Sequence, residues 1–157
     1  MSSWFYKVTA DPTDLSPLVE CLDYYEEQYQ EARKDLRIIG RVEHISSRIP
    51  GLAEQRWAQL QELEALLRHM DDEFKRVKVA AFKKYLETYN KALSSRDAEK
   101  YAEADPKVLE MSYLHNQVAL MRNKFMGVFK GLETLQFQIN NIVKLRCAGL
   151  EDSEIDY

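Results

Sequence analysis

Helix breakers are scarce in this sequence: its 157 residues include five glycines and four prolines, while charged residues make up 31%. That balance suits long amphipathic helices and argues against a turn-dense sandwich or barrel. Cysteine is rarer still. Cys21 and Cys147 stand apart with no CxxC or other paired spacing, so neither a disulfide framework nor a zinc site is expected, and a reducing cytoplasm is the expected location. Long apolar runs are also missing. No stretch approaches the ~20 residues that span a bilayer, and Met1 to Ala10 has no basic start followed by an apolar segment, so neither a membrane partner nor export is expected. At 45% apolar residues the chain can nevertheless bury one core of ordinary domain size.

Signatures of catalysis are equally sparse. His44, His69 and His115 are scattered, and no HExxH, Glu-x-x-His pair, nucleophile elbow or phosphate-cradling glycine loop occurs. Asp71, Asp72 and Glu73 are adjacent, but three successive acids on a helix point in three directions and form a solvated face. No catalytic residue, metal or cofactor is expected, and the chain reads as a binding protein.

What the sequence does carry is helical periodicity. Residues 2 to 8, SSWFYKV, could form a short strand or an arm that docks its rings. After the turn residues Asp11 to Asp14, apolar positions recur at Leu15, Leu18, Leu22, Tyr25, Tyr29, Ala32, Leu36 and Ile39, which is the 3,4 spacing of a coiled-coil-like helix. Beyond Gly40 the seam shifts phase to Val42, Ile45 and Ile49. Ile49, Pro50 and Gly51 then predict a break. A second helix is expected from about Leu52 to Leu93, with a seam at Leu60, Leu63, Leu67, Met70, Phe74, Val77 and Ala81. Ser94 to Ala104 is polar and has room for a helical turn or two. Asp105 before Pro106 is a capping carboxylate followed by proline at the first helical position. The third helix repeats Met111, Leu114, Val118, Met121, Phe125, Val128, Leu132, Leu135, Ile139 and Ile142 and stops at Gly149.

These patterns predict an all-α protein: a long antiparallel helical hairpin plus an N-terminal amphipathic helix, assembling into a homo-oligomer. The expected divisions are an arm and amphipathic helix (1–50), the hairpin (51–150) and an acidic tail (151–157). Lys124, Gly127, Gly131 and Thr134 form a second stripe beside the last seam. Its small residues either admit another helix or relieve crowding inside one hairpin.

The net charge is −4, yet its distribution is uneven. Glu20, Asp23, Glu26, Glu27 and Glu31 form an acidic stretch, whereas Phe74 to Lys91 carries Lys75, Arg76, Lys78, Lys83, Lys84 and Lys91 against Glu87 alone. On a helix, Arg76, Lys83, Lys84 and Lys91 fall within about 100° of one another, roughly opposite Phe74, Val77, Ala81 and Tyr85. Such a stripe either keeps a helix soluble or binds a phosphate backbone by counterion release. Stacking aromatics are the usual companions of single-strand binding, but Phe82, Tyr85 and Tyr89 lie toward the seam and are expected in core or rim.

The phrases FKRVKVAAFKKYLETYNKALSSRDAEKY (74 to 101) and NQVALMRNKFMGVFKGLETLQFQINNIVKLRCAGLED (116 to 152) resemble the UvsY family of tailed-phage recombination mediators. The resemblance covers about half the chain. It implies a small, helical, non-enzymatic protein that binds single-stranded DNA, helps displace the single-strand-binding protein and loads a RecA-like recombinase in the cytoplasm of the infected cell. It also implies DNA contacts in FKKYLETY, where Lys83 matches directly and Tyr85 stands where a second cation is expected. With the charge window this makes Arg76, Lys78, Lys83, Lys84 and Lys91 the candidate DNA-binding residues. The last helix resembles the family's oligomerisation element, so Met121, Phe125, Gly127, Val128, Gly131, Leu132, Leu135, Ile139 and Ile142 are the candidate contacts of a ring-like assembly. A ring would sum weak stripes although each subunit is net negative. The competing reading is a coiled-coil scaffold without a DNA role.

Overall fold

The computed structural model describes residues 3–88 and 94–150. All regular structure among them is α-helix: α1 (Trp4–Thr9), α2 (Ser16–Asp35), α3 (Val42–Thr88), α4 (Ser95–Glu103) and α5 (Pro106–Cys147). The acidic segment 151–157 lies outside the described residues.

The aromatic arm is helical. Ser3 caps α1 by accepting from the Phe5 amide, Val8 is buried, and Trp4 and Phe5 pack against the core. The α2 seam places Leu18, Tyr25 and Ala32 inside, together with Cys21. α2 stops at Asp35, so Ile39, expected on its seam, is 73% exposed. Gly40, at φ 103°, makes the turn into α3 with a backbone that other residues rarely adopt.

The expected break at Ile49, Pro50 and Gly51 does not occur, for α3 runs through Pro50 without interruption. An interior proline forfeits a backbone hydrogen bond and costs about 3 kcal/mol. Val42, Ile45 and Ile49 before it and Leu52 and Ala53 after it all pack into one cluster with Leu132, Leu135 and Ile139 of α5. Each such side chain contributes roughly 1.5–3 kcal/mol on full burial, which is enough to keep the helix continuous through the proline. At 47 residues α3 is about 70 Å long.

Three clusters line α3 and α5. The start of α3 meets the end of α5 in the cluster just named. In the middle, Leu60, Leu63, Leu66 and Met70 join Val118, Met121 and Phe125, with Leu18, Cys21 and Tyr25 of α2 closing the third side. The end of α3 meets the start of α5 through Ala81 and Val108, with Ala102 of α4. α4 is capped by Ser94, which accepts from the Asp97 amide, and turns Ala98 and Ala102 wholly inward. α5 begins as expected, its cap Asp105 accepting from the Lys107 amide at 3.0 Å. It ends with Gly149 at φ 74° and a Leu150 amide to Leu145 carbonyl bond of 3.0 Å, the geometry of a glycine-terminated helix.

Polar links cross the same interfaces. Tyr25 donates its hydroxyl to Glu62 at 2.6 Å, and the Ser3 hydroxyl and the Phe5 amide bind the other Glu62 oxygen. Burial would raise that carboxyl; the two hydroxyls and the amide outweigh it and hold the group below its ordinary range. The same burial, with Glu62 beside it, pushes the Cys21 thiol up to about 12, so it stays protonated. Glu26 of α2 holds Lys124 of α5 at 2.6 Å, and Glu64 of α3 holds Arg122 at 2.9 Å.

Candidate nucleic-acid interface

Where α3, α4 and α5 converge, Phe74, Val77, Phe82 and Tyr85 pack inward around Ala81, Ala102 and Val108. The rings of the FKKYLETY phrase are therefore core and rim, with Tyr89 outside the described residues. Because α3 buries that face, Arg76, Lys83 and Lys84 point outward. Asp105 is 3% exposed at the junction, and besides capping α5 it accepts from Lys84 Nζ and from the Tyr85 hydroxyl, each at 3.1 Å.

The candidate cations do not share one environment. Lys84 is a tie between α3 and the cap of α5; its hydrogen bond to Asp105 and the attraction between them raise its pKa, and the same bond lowers that of Asp105. Lys78 is bonded to Glu103 of α4 at 3.0 Å, which raises its pKa likewise. Arg76 pairs with Glu73 one turn earlier. Lys83 is exposed, and among the described residues no carboxylate lies within ion-pair distance of it. Lys91 lies outside the described residues. A window that carries Glu87 as its sole acid thus meets its balancing carboxylates in three dimensions, from residues 21 and 25 positions further along.

Two grooves flank this junction. Arg76 and Lys84 from α3 and Asp105 and Lys107 at the start of α5 border one of about 430 Å3, floored by Val77, Ala80 and Ala81. Lys78, Arg96 and Glu99 border the other, about 450 Å3, over Phe82 and Ala102. Arg96 and Lys107 fall outside the charge window, and nothing in their local sequence marks them; only the docking of α4 and α5 on α3 brings them here.

Most of the candidate assembly residues are enclosed within the chain itself. Met121 and Phe125 are buried against this chain's own α2 and α3, Leu132, Leu135 and Ile139 against the start of α3, with Ile142 at the edge of that cluster, and Val128 is buried as well. The small-residue stripe is also partly taken: Lys124 pairs with Glu26, and Leu36 lies so near Gly131 that an added Cβ would stand 3.0 Å from both its methyl carbons. Gly127 is open, with nothing within 4 Å of an added Cβ.

The opposite face of α5 carries a feature that the seam conceals. Leu109, Tyr113, Leu120 and Phe137 are exposed by 57, 64, 59 and 70%. With Asn116, Asn123, Gly127, Thr134 and Asn141 they form an exposed ribbon at 3,4 spacing in which Lys130 is the only charge. Solvated helix faces are ordinarily rich in charge.

The three adjacent acids do point apart: Asp71 to His115 at 2.6 Å, Asp72 to Lys75, and Glu73 to Arg76. Among the described residues no group of His, Cys, Asp and Glu side chains could hold a metal ion, and no helix is long and apolar enough to cross a membrane. Comparison with known proteins found no matching family model, no similar curated protein and no similar solved structure.

Proposed function

We propose that the chain is a single-stranded-DNA-binding recombination and repair mediator of the infected cell's cytoplasm, one that helps displace single-strand-binding protein and load a RecA-like recombinase. The observation that carries the DNA contact is the groove where Arg76, Lys84 and Lys107 converge from two helices, with Lys83 exposed on the same side. A concave site rimmed by cations concentrates a phosphate backbone. Lys84 serves it indirectly, since its bond to Asp105 fixes the junction. Arg76, Lys83 and Lys107 make the phosphate contacts. In this reading α3 and α5 form an antiparallel hairpin, supported by the pairing of the start of α3 with the end of α5.

Self-association belongs to the outer ribbon of α5 rather than to its seam. From Leu109 to Asn141 the ribbon is about 48 Å long, apolar at its leucines and aromatics and nearly free of charge. Helix against helix is the contact that 3,4 spacing fits, and buried asparagines at such positions set register. A second copy is the partner. A ring of copies places the grooves side by side and multiplies their affinity.

The scaffold reading is favoured by one observation, the pairing of Lys78 with Glu103 and Lys84 with Asp105, since paired cations need no DNA. Titration of labelled oligothymidylate separates the two. Arg76→Glu with Lys83→Glu lowers affinity at least tenfold without loss of helicity if the groove binds DNA. A parent protein that ignores the oligonucleotide at low salt supports the scaffold.

A further inference from the structure

Where α2 gives way to α3, the chain is basic again. Residues 33 to 48 carry Arg33, Lys34, Arg37, Arg41 and Arg48 against Asp35 and Glu43. The turn at Gly40 folds the end of α2 toward the start of α3, so that Lys34, Arg37, His44 and Arg48 border one groove of about 360 Å3, with Ile39 and Ile45 in its wall. Asp35 is the single carboxylate of that groove, and its charge is already matched. Buried Arg56 binds it at 2.7 Å from beneath and is itself steadied by Gln59 at 2.9 Å. Arg48 reaches only to 3.8 Å from the other Asp35 oxygen and remains 56% exposed. Among the described residues no carboxylate lies within ion-pair distance of Lys34 or Arg37. Lys34 and Arg37 therefore border one concavity without a matching acid, while Arg48 shares Asp35 with Arg56, and the repulsion among these cations is relieved by an anion seated between them.

The chemistry of the rim narrows the anion. Two guanidiniums present forked donors that match the oxygens of a phosphate, and one ammonium adds a point charge. Ile39, 73% exposed, and Ile45 offer aliphatic surface beside the cations, where a sugar or the flat face of a base can lie. A concave site that pairs apolar wall with a few convergent polar groups is the usual form of a small-ligand pocket.

We propose that this groove binds a nucleotide unit, with its phosphate held by Arg37, Arg48 and Lys34 and its sugar and base against Ile39 and Ile45. A free nucleotide and a nucleic-acid strand present the same chemistry. Only the strand as source rests on the mediator reading above.

The test uses the full chain, with labelled oligothymidylate and with adenosine monophosphate as separate probes, on the parent, on Arg37→Glu/Arg48→Glu and on Arg76→Glu/Lys83→Glu. Arg37→Gln/Arg48→Gln is included as a milder pair should charge reversal disturb folding. In the groove variants, affinity for whichever probe the parent binds falls at least tenfold while circular dichroism is unchanged. For the strand, loss of two contacts lowers the salt slope by about 1.4, at roughly 0.7 per phosphate. Groove variants that bind both probes like the parent overturn the proposal, and the mediator reading then stands or falls on the Arg76/Lys83 pair. A parent that binds the monophosphate through the groove but no strand keeps the proposal and sinks the mediator reading. A parent that binds neither probe, or one that instead takes an acidic peptide of sequence EDSEIDY, overturns the proposal.

Discussion

Replacing Phe125 with alanine separates the two places where its ring could be buried. The ring is fully enclosed within the chain and meets Tyr25 of α2 edge-on at 5.4 Å, with Tyr29 at 6.3 Å. Truncating a core phenylalanine costs about 3–5 kcal/mol, combining lost transfer energy with the cavity left behind. The edge-to-face pairing, about 0.5–1.5 kcal/mol beyond burial, places this site toward the upper half of that range. In a chain of this length each kcal/mol shifts Tm by roughly 2–4 °C, so a fall of about 8–20 °C is expected. Thermal melts followed by circular dichroism, at two concentrations well apart, give the readout, and sedimentation velocity at low temperature gives the size of the species. The expected result is the same fall in Tm at both concentrations, with the parent's sedimentation coefficient retained. A variant that dissociates into subunits which melt like the parent would return the seam to the subunit interface and refute the reasoning.

Pro50→Ala restores a donor to a helix that is already continuous, so it stabilises by about 2 kcal/mol after allowance for the freer unfolded chain; a lower Tm in thermal denaturation would mean that a break at Pro50 is required. Gly127→Ala, with nothing within 4 Å of the new Cβ, stabilises by close to the ~1 kcal/mol helix-propensity difference. Gly131→Ala gains less, because Leu36 must give way, and urea titration of the two variants side by side checks the order. Glu62 carries a pH signature. Its folded pKa lies below the unfolded value of 4.5, so its stabilisation is complete above that pH and is lost as pH falls through the folded value. Glu62→Gln therefore lowers Tm near neutrality and flattens the acid limb of a Tm-against-pH curve; an acid limb as steep as the parent's would assign that loss to other carboxylates such as Asp105 and Glu26.

The sequence displayed the helices more clearly than their partners. The 3,4 repeats marked α2 and α5, and Asp105–Pro106 and Gly149 marked the ends of α5, because caps and seams are local patterns. Pro50 misled because tertiary burial of Ile49 and Leu52 on α5 overrides a local penalty. The α5 seam was legible as apolar, but not which surface covers it; a repeat has the same spacing whether its partner is α2 of the same chain or a second copy. The outer ribbon from Leu109 to Asn141 lay in plain sight and was masked by the stronger seam beside it. Its signal was an absence of charge. The cationic window was legible as charge, but its neutralisation by Glu103 and Asp105 depends on how α4 docks. The Lys34, Arg37 and Arg48 groove was less legible still, since Asp35 looks like a compensating acid until buried Arg56 is seen to hold it.

The most direct test of the account is the salt dependence of oligothymidylate binding by the parent and by Arg76→Glu/Lys83→Glu. The account predicts sequence-tolerant binding that prefers single strands to duplex, weakens steeply between about 50 and 200 mM salt, and loses about 1.4 from its logarithmic salt slope in the variant. Binding that is absent at low salt, or that has the same slope in parent and variant, would contradict the claim that this surface holds a phosphate backbone.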